Sequence, residues 1–356
     1  MKRIYESLLI EHHQENRQMA FIVGPRQVGK TTTCKNALKN TTYINWDNIN
    51  DRIRITKGPQ AVAENAGLSE LRAGKLPMLF DEIHKYSKWK DFFKGFFDVY
   101  ADKTLITVTG SAKLDTYKKG GDSLMDRYFF YHMHPLSVAE LANTRFTEKE
   151  IRPPQKISKK DFDTLFQFGG FPEPYLKANK RFSNRWKRLR EDQLLKEDIR
   201  NLTKISESDH VQMLAKLIAA NTGQLINYSS LANELNVTVN TVKHWIAALK
   251  SLYFCFEIRP WFRNISKSLK KQPKLYLWDW SSVENSGAKY ENFVASHLLK
   301  AVHWWTDIGL GNYGLYYLRD KMQREVDFLV TRDNKPWFCY PRFETPRFTA
   351  VINSSV

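Results

Sequence analysis

With 356 residues, 42% hydrophobic and 13% aromatic, the chain carries apolar material for about two or three packed domains, which excludes a disordered polymer. Its formal net charge of +17 points to polyanionic partners, nucleic acid first, and says nothing of the fold. Cys34, Cys255 and Cys339 are scattered without CxxC spacing, so neither a disulfide framework nor a zinc site is expected, and the expected compartment is the reduced cytoplasm. Acids and histidines interrupt the N-terminal run MKRIYESLLIEHHQENRQ, and no uncharged apolar stretch approaches ~20 residues, so a soluble chain without membrane attachment is expected.

From Met19 the pattern alternates short apolar runs with longer charged, helix-length segments: MAFIV (Met19–Val23), TYINW (Thr42–Trp46), PMLF (Pro77–Phe80), TLITVT (Thr104–Thr109) and YFFY (Tyr128–Tyr131). That alternation predicts a βαβ sheet with helical crossovers. The first run leads directly into Gly24, Pro25, Arg26, Gln27, Val28, Gly29, Lys30, Thr31 and Thr32, which satisfy GxxxxGK[ST]. Glycines let the backbone curl until successive N–H groups face phosphate oxygens, and the following helix adds the positive end of its dipole. Lys30 is placed to reach the β- and γ-phosphates of ATP, and the Thr31 hydroxyl to hold Mg²⁺. The run PMLFDE ends in Asp81, a carboxylate held rigidly by the sheet for Mg²⁺, followed by Glu82 as candidate general base toward water. The tip of the fourth run carries Thr109 and Ser111, which either sense the γ-phosphate and orient the water or form an ordinary strand-to-loop turn.

A polar stretch at Thr144–Asp161, rich in lysine and containing paired prolines, reads as a linker. A helical segment with the turn GGFPEP (Gly169–Pro174) follows. Within NYSSLANELNVTVNTVKHWIAALKSLYF a first helix near Ser229–Leu235, a tight turn at Asn236-Val237 and a second helix near Thr238–Leu252 have the layout of a helix-turn-helix. Val239, Val242, Ile246 and Leu249 then pack inward, while Asn240, Thr241, Lys243 and His244 face outward where such a unit meets the major groove. YFCFEIRP and PKLYLW read as two strands of a wing, joined by a basic loop with Arg259, Arg263, Lys267, Lys270, Lys271 and Lys274 as candidate phosphate contacts on duplex DNA. A winged helix used for internal packing or protein docking is the alternative.

Taken together, GPRQVGKTT, LFDEIH, ITVTGSAK, SLMDRYFFYHMHPLSVAEL, GGFPEP, WKRLREDQLLKEDIRNL and PKLYLWD resemble the prokaryotic AAA-type ATPases that carry a domain of unknown function after the ATPase. The resemblance covers nearly the whole chain. It implies a sheet with the Thr109 strand between the Lys30 and Asp81 strands, and an Arg127 that touches a phosphate from within the subunit or from a neighbour. Asp126 stands where that family usually has glycine, so a salt bridge of Arg127 to Asp126 or Asp122 is an equal reading. After Ser281 the resemblance implies a restriction-endonuclease-like fold with Glu291 and Asp327 as metal-binding carboxylates. The acid-x-Lys triplet such a site needs is missing: two positions after Glu344 stands Pro346, not lysine. Nuclease activity is therefore not expected.

The chain is expected to be an α/β protein: an AAA-type P-loop parallel sheet over residues 1–145, a helical region with a winged helix over 160–280, and an incomplete nuclease-like α/β domain over 281–356. The expected function is Mg²⁺-dependent ATP hydrolysis coupled to a basic half that contacts DNA. Two rivals are a nucleotide-gated protein-interaction module with little hydrolysis and a P-loop small-molecule kinase; a protein partner and a homo-oligomer stay open.

Overall fold

In the computed structural model, which describes residues 1–70, 74–110, 124–199, 208–262, 271–320 and 322–340, the chain divides into two compact units. The first comprises Met1–His134 and Ala139–Lys156, the second Pro135–Val138 and Ile157–Val356.

The five apolar runs of the first unit become β1 (Met19–Val23), β2 (Thr42–Asn45), β3 (Leu76–Asp81), β4 (Thr104–Gly110) and β5 (Tyr128–His132). They form one parallel sheet in the order β2-β3-β4-β1-β5, so the Thr109 strand does lie between the other two site strands. Every β1 residue is buried, as a near-continuous apolar run in a parallel sheet requires. Helices α1 (Ile4–Glu15), α2 (Lys30–Ala37), α3 (Ile49–Lys57), α4 (Pro59–Asn65) and α5 (Trp89–Tyr100) complete most of this unit. The core is aromatic. In α5 Phe92, Phe93 and Phe96 lie on one helical face and meet Phe80 of β3 with ring centroids 5.9, 5.2 and 5.5 Å away, edge to face.

α6 (Val138–Ala142), whose residues from Ala139 on belong to the first unit, carries Glu140. The second unit opens with α7 (Lys159–Phe168), α8 (Pro172–Lys177) and α9 (Lys180–Asp192), whose last turns widen into a π-helical stretch at Gln193–Asp198. The GGFPEP turn has a packing reason. A Cβ on Gly170 would stand 2.6 Å from both the Leu136 carbonyl oxygen and the Trp280 ring, so only glycine fits. Then come α10 (Ser208–Ala220), α11 (Tyr228–Glu234) and α12 (Val239–Ser251). Asn227 caps α11 and Thr238 caps α12, and Asn236 takes the left-handed conformation (φ 57°) that the tight turn between them requires. Val242, Trp245, Ile246 and Leu249 are buried as the inner face of α12.

The second sheet contains β6 (Cys255–Pro260), β7 (Lys274–Leu277), β8 (Tyr313–Arg319), β9 (Glu325–Arg332) and β10 (Lys335–Tyr340), in the order β10-β9-β8-β6-β7. The long helix α13 (Ser286–Asp307) precedes β8. β6 and β7 pair antiparallel as the expected wing strands would, but β6 also pairs parallel with β8. This differs from a free wing, and one sheet runs through both the 160–280 and the 281–356 segments. The physical reason is burial on both faces: Cys255, Phe256 and Ile258 are all buried, which an outer hairpin would not allow. Among the described residues no helix is long and apolar enough to cross a membrane.

Candidate functional site

The carboxyl ends of β1, β3 and β4 come together, as the register Val23↔Gly110 and Asp81↔Thr109 dictates. Ligands bind at this edge of open parallel sheets because loops and helix N-termini converge there. β1 runs into the Gly24–Thr32 loop, and α2 starts at Lys30 with Gly29 (φ 97°) as its N-cap. Gly24 sits at φ 153°, and a Cβ there would lie 2.3 Å from the Met133 carbonyl oxygen, so the loop's first residue must be glycine. Pro25 and Val28 are buried, while Arg26, Gln27, Gly29, Thr31 and Thr32 line the open side. The Lys30 ammonium is buried and donates to the carbonyl oxygens of Gly24 (2.9 Å) and Pro25 (2.8 Å). Burial pulls its pKa down to about 8, against the opposing pull of Glu82 and Asp81.

Asp81 is the hub. Its Oδ2 accepts from the Thr31 hydroxyl at 2.8 Å and from the Tyr43 hydroxyl at 2.9 Å, and its Oδ1 accepts from Thr109 at 2.5 Å. Burial and then the Asp81 carboxylate push the Tyr43 phenol above its ordinary range, so it remains a donor. Glu82 follows in the left-handed region (φ 57°), with its N–H on the Thr109 carbonyl (3.2 Å) and its Oε2 3.3 Å from Lys85 Nζ and 3.7 Å from His84 Nε2. Thr31 and Asp81 are hard oxygen donors 2.8 Å apart beside the phosphate loop, a donor set that suits Mg²⁺.

The sequence reading missed two supports of this loop. Tyr43 is one; its only sequence signal is an aromatic on the strand beside Asp81. The other is a buried ion pair between Arg3 and Glu140, Nε to Oε1 at 2.7 Å. Arg3 also donates to the Val28 carbonyl (2.7 Å) and the His134 carbonyl (2.6 Å), tying the loop's underside to α1 and α6. A separation of 137 positions gives a sequence pattern no hold on that pair.

Other expectations need correction. Arg127 does not reach the phosphate loop of its own subunit. Its carbonyl accepts from Met19 N–H at the start of β1, whereas the loop leaves the other end of that five-residue strand, roughly 16 Å away at ~3.3 Å per residue. Its guanidinium is engaged elsewhere: Arg127 Nε and Nη2 donate to Asp98 of α5 at 2.8 and 3.2 Å. Ser111 lies outside the described residues, as do Asp122, Arg263, Lys267, Lys270 and Glu344.

In the second unit Asn240, Lys243, His244 and Lys271 are exposed. Thr241 is committed to the helix cap, its N–H 3.1 Å and its hydroxyl 2.9 Å from Thr238 Oγ1. Arg259 lies on β6 rather than in the loop and pairs with Glu257 at 3.0 Å. Lys274 is a clear correction. It is buried on β7, with its Nζ 2.5 Å from Glu325 Oε1 and 3.4 Å from both Glu291 Oε1 and Asp327 Oδ1. An ammonium so enclosed is unavailable to DNA phosphates. The structure does bring Glu291 and Asp327 together, but around a lysine and with Glu325, and Tyr276 donates to Glu291 at 2.6 Å.

Residues 16–142 match the AAA domain family, residues 159–284 a domain of unknown function (DUF8612) and residues 286–340 another (DUF4143). An uncharacterized protein of Mycobacterium tuberculosis is 23% identical over 361 residues, covering 95% of this chain and 73% of its own. An uncharacterized protein of Haemophilus influenzae is 21% identical over 333 residues, covering 88% and 77%. Among solved structures, the Walker-type ATPase of Pyrococcus abyssi is similar with a TM-score of 0.47 and 14% identity, over 78% of this chain and 93% of that one.

Proposed function

We propose, from the premise of an AAA-type P-loop domain at residues 16–142, that the chain binds ATP with Mg²⁺ in its first unit and hydrolyses it. The observation that carries this reading is the convergence of Thr31, Asp81 and Thr109 from three adjacent strand ends onto one hydrogen-bonded cluster, with the Lys30 ammonium held on the loop that precedes Thr31. Thr31 and Asp81 would hold the metal, which when bound neutralises charge on the β- and γ-phosphate oxygens. Lys30 exchanges its two carbonyl acceptors for phosphate oxygens, and the loop N–H groups cradle the remaining charge. Thr109 and Tyr43 fix the Asp81 carboxylate so that little reorganisation accompanies binding. Glu82, at the strand end beside Asp81, takes the proton of the attacking water. Glu82→Gln is expected to bind ATP normally and turn over ~10²-fold more slowly or worse, because the base is lost while the Thr31–Asp81 pair remains. Steady-state hydrolysis without any acceptor substrate checks this. Unchanged turnover removes Glu82 from the mechanism, and turnover only with a small-molecule acceptor favours a kinase.

The second part of the proposal is that the α11–α12 pair meets duplex DNA as a helix-turn-helix. Support comes from the exposed Asn240, Lys243 and His244 at the start of α12 and from the +17 charge. With Lys274 enclosed, Lys243 and Lys271 are the described residues among the expected phosphate contacts, beside Lys267 and Lys270. The double variant Lys243→Ala/Lys271→Ala is expected to flatten the dependence of log K on log salt by about two units, at roughly 0.9 per phosphate. Asn240→Ala is expected to leave that slope alone and reduce preference among sequences. Equal slopes for wild type and the double variant, measured by fluorescence anisotropy, would turn the reading to a protein-docking module.

A further inference from the structure

The second unit contains a cavity of about 600 Å³, within the range of small-molecule pockets. One wall is cationic and comes from α9: Lys187 and Arg190 both line it. Leu194, Ala215, Ala219 and Leu277 supply apolar lining, and Lys216, which is exposed, adds a further cation. Arg190 is held in place by aromatic faces, its guanidinium carbon 4.2 Å from the Phe171 ring centroid and 5.7 Å from that of Trp186. Its Nε is shielded from solvent and meets no hydrogen-bond acceptor, and among the described residues the side chain makes no ion pair. The carboxylate beside it, Asp279, is already engaged: its Oδ1 accepts from Ser281 N–H at 3.1 Å and from the Ser281 hydroxyl at 2.6 Å. Burial lowers the Arg190 pKa in spite of Asp279, as expected for a cation without a close counter-ion. Lys187 spends one proton on the Ser281 carbonyl (2.6 Å) and has two more to donate. The acids on the rim, Glu191 and Glu284, are exposed and solvated.

A guanidinium whose Nε is shielded and unanswered, pre-oriented by stacking, next to an ammonium and in a cavity with apolar lining, is complementary to one class of ligand. We propose that this cavity binds a small organic oxyanion, a carboxylate or phosphate monoester on an apolar body, with Arg190 and Lys187 on the charged group and Leu194, Ala215, Ala219 and Leu277 around the body. All these residues belong to the second unit, so the site does not depend on the phosphate loop.

The test is calorimetric titration of the full chain carrying Lys30→Ala, so that the phosphate loop does not compete. The probes are benzoate, phenyl phosphate, inorganic phosphate and benzyl alcohol. Benzoate or phenyl phosphate is expected to bind at least about 10-fold tighter than the bare anion or the neutral alcohol, since only these combine charge with an apolar body. Which of the two prevails identifies the oxyanion. Arg190→Gln is expected to weaken that binding about 10-fold or more, and Arg190→Lys to weaken it less. Ala219→Phe, in the part-exposed apolar lining, is expected to abolish it by filling the chamber, and it keeps the test decisive if Arg190→Gln does not fold. No binding of either aromatic anion to the Lys30→Ala chain, or binding untouched by both Arg190→Gln and Ala219→Phe, overturns the proposal.

Discussion

Lys30→Ala is expected to lower ATP affinity by about 10²-fold or more, the effect of removing one member of an enclosed, charge-assisted pair. The position of the ammonium supports a loss of that size. It is buried, lies beside the backbone of its own loop, and has no neighbouring lysine on α2's first turn to replace it. The same burial predicts a pH signature. With the pKa in the nucleotide-free protein brought to about 8, Lys30 is charged at pH 7 and loses its proton as pH rises through that value. ATP then has to bring a proton with it, so affinity is expected to fall between pH 8 and 9.5 in the wild type, and Lys30→Ala is expected to lack this fall. The sign for folding is opposite. A lysine whose folded pKa lies below its unfolded value of roughly 10.4 binds fewer protons when folded, so its contribution to stability improves as pH rises across that window. Nucleotide titration at several pH values checks both halves; wild-type affinity in Lys30→Ala would refute the phosphate-loop assignment.

Lys274→Ala is expected to destabilise the second unit by about 3–5 kcal/mol, the cost of removing one partner from a buried charge cluster. Lys274 is nearly inaccessible, and without it Glu291, Glu325 and Asp327 would face one another in a low-dielectric site. Burial works against the lysine's charge, yet these three acids outweigh it and hold its pKa above the ordinary lysine value. The contribution is therefore fully present below about pH 10.4 and is lost only as pH climbs through the raised value. In the variant the deprived carboxyls should hold protons more tightly than in the unfolded chain, so part of the lost stability should return as the solution is acidified toward pH 5. Urea unfolding at pH 7.5 and pH 5 reads both effects. An unchanged midpoint at pH 7.5 would mean that the acids relax into water and that the lysine is not their counter-ion.

Much of the first unit was legible in the chain itself, because its signals are local. Five apolar runs predicted five strands within a residue or two. The phosphate loop was legible because its function depends on backbone geometry, which adjacent residues impose: a glycine where a Cβ would strike Met133, a glycine with φ 97° capping a helix, a lysine on that helix's first turn. Asp81 was legible as the acid ending a strand. The two helices α11 and α12 and the turn between them were legible for the same reason, from two caps and a left-handed Asn236.

What the sequence left open is everything that depends on partners distant along the chain. Arg3 and Glu140 are 137 positions apart and meet only because α1 and α6 lie under the same loop. Tyr43 reaches Asp81 only because β2 pairs with β3. Arg127 stands beside a family-like motif, but parallel pairing of β5 with β1 puts it at the end of the sheet away from the phosphate loop. Lys274 reads as one more basic residue of a loop, and folding encloses it among acids contributed by α13 and β9. The charge of a side chain is written in the sequence. Whether that charge faces water, phosphate or a carboxylate is decided by which strands pair and which helices cover them, and burial then sets how strongly the charge must be answered.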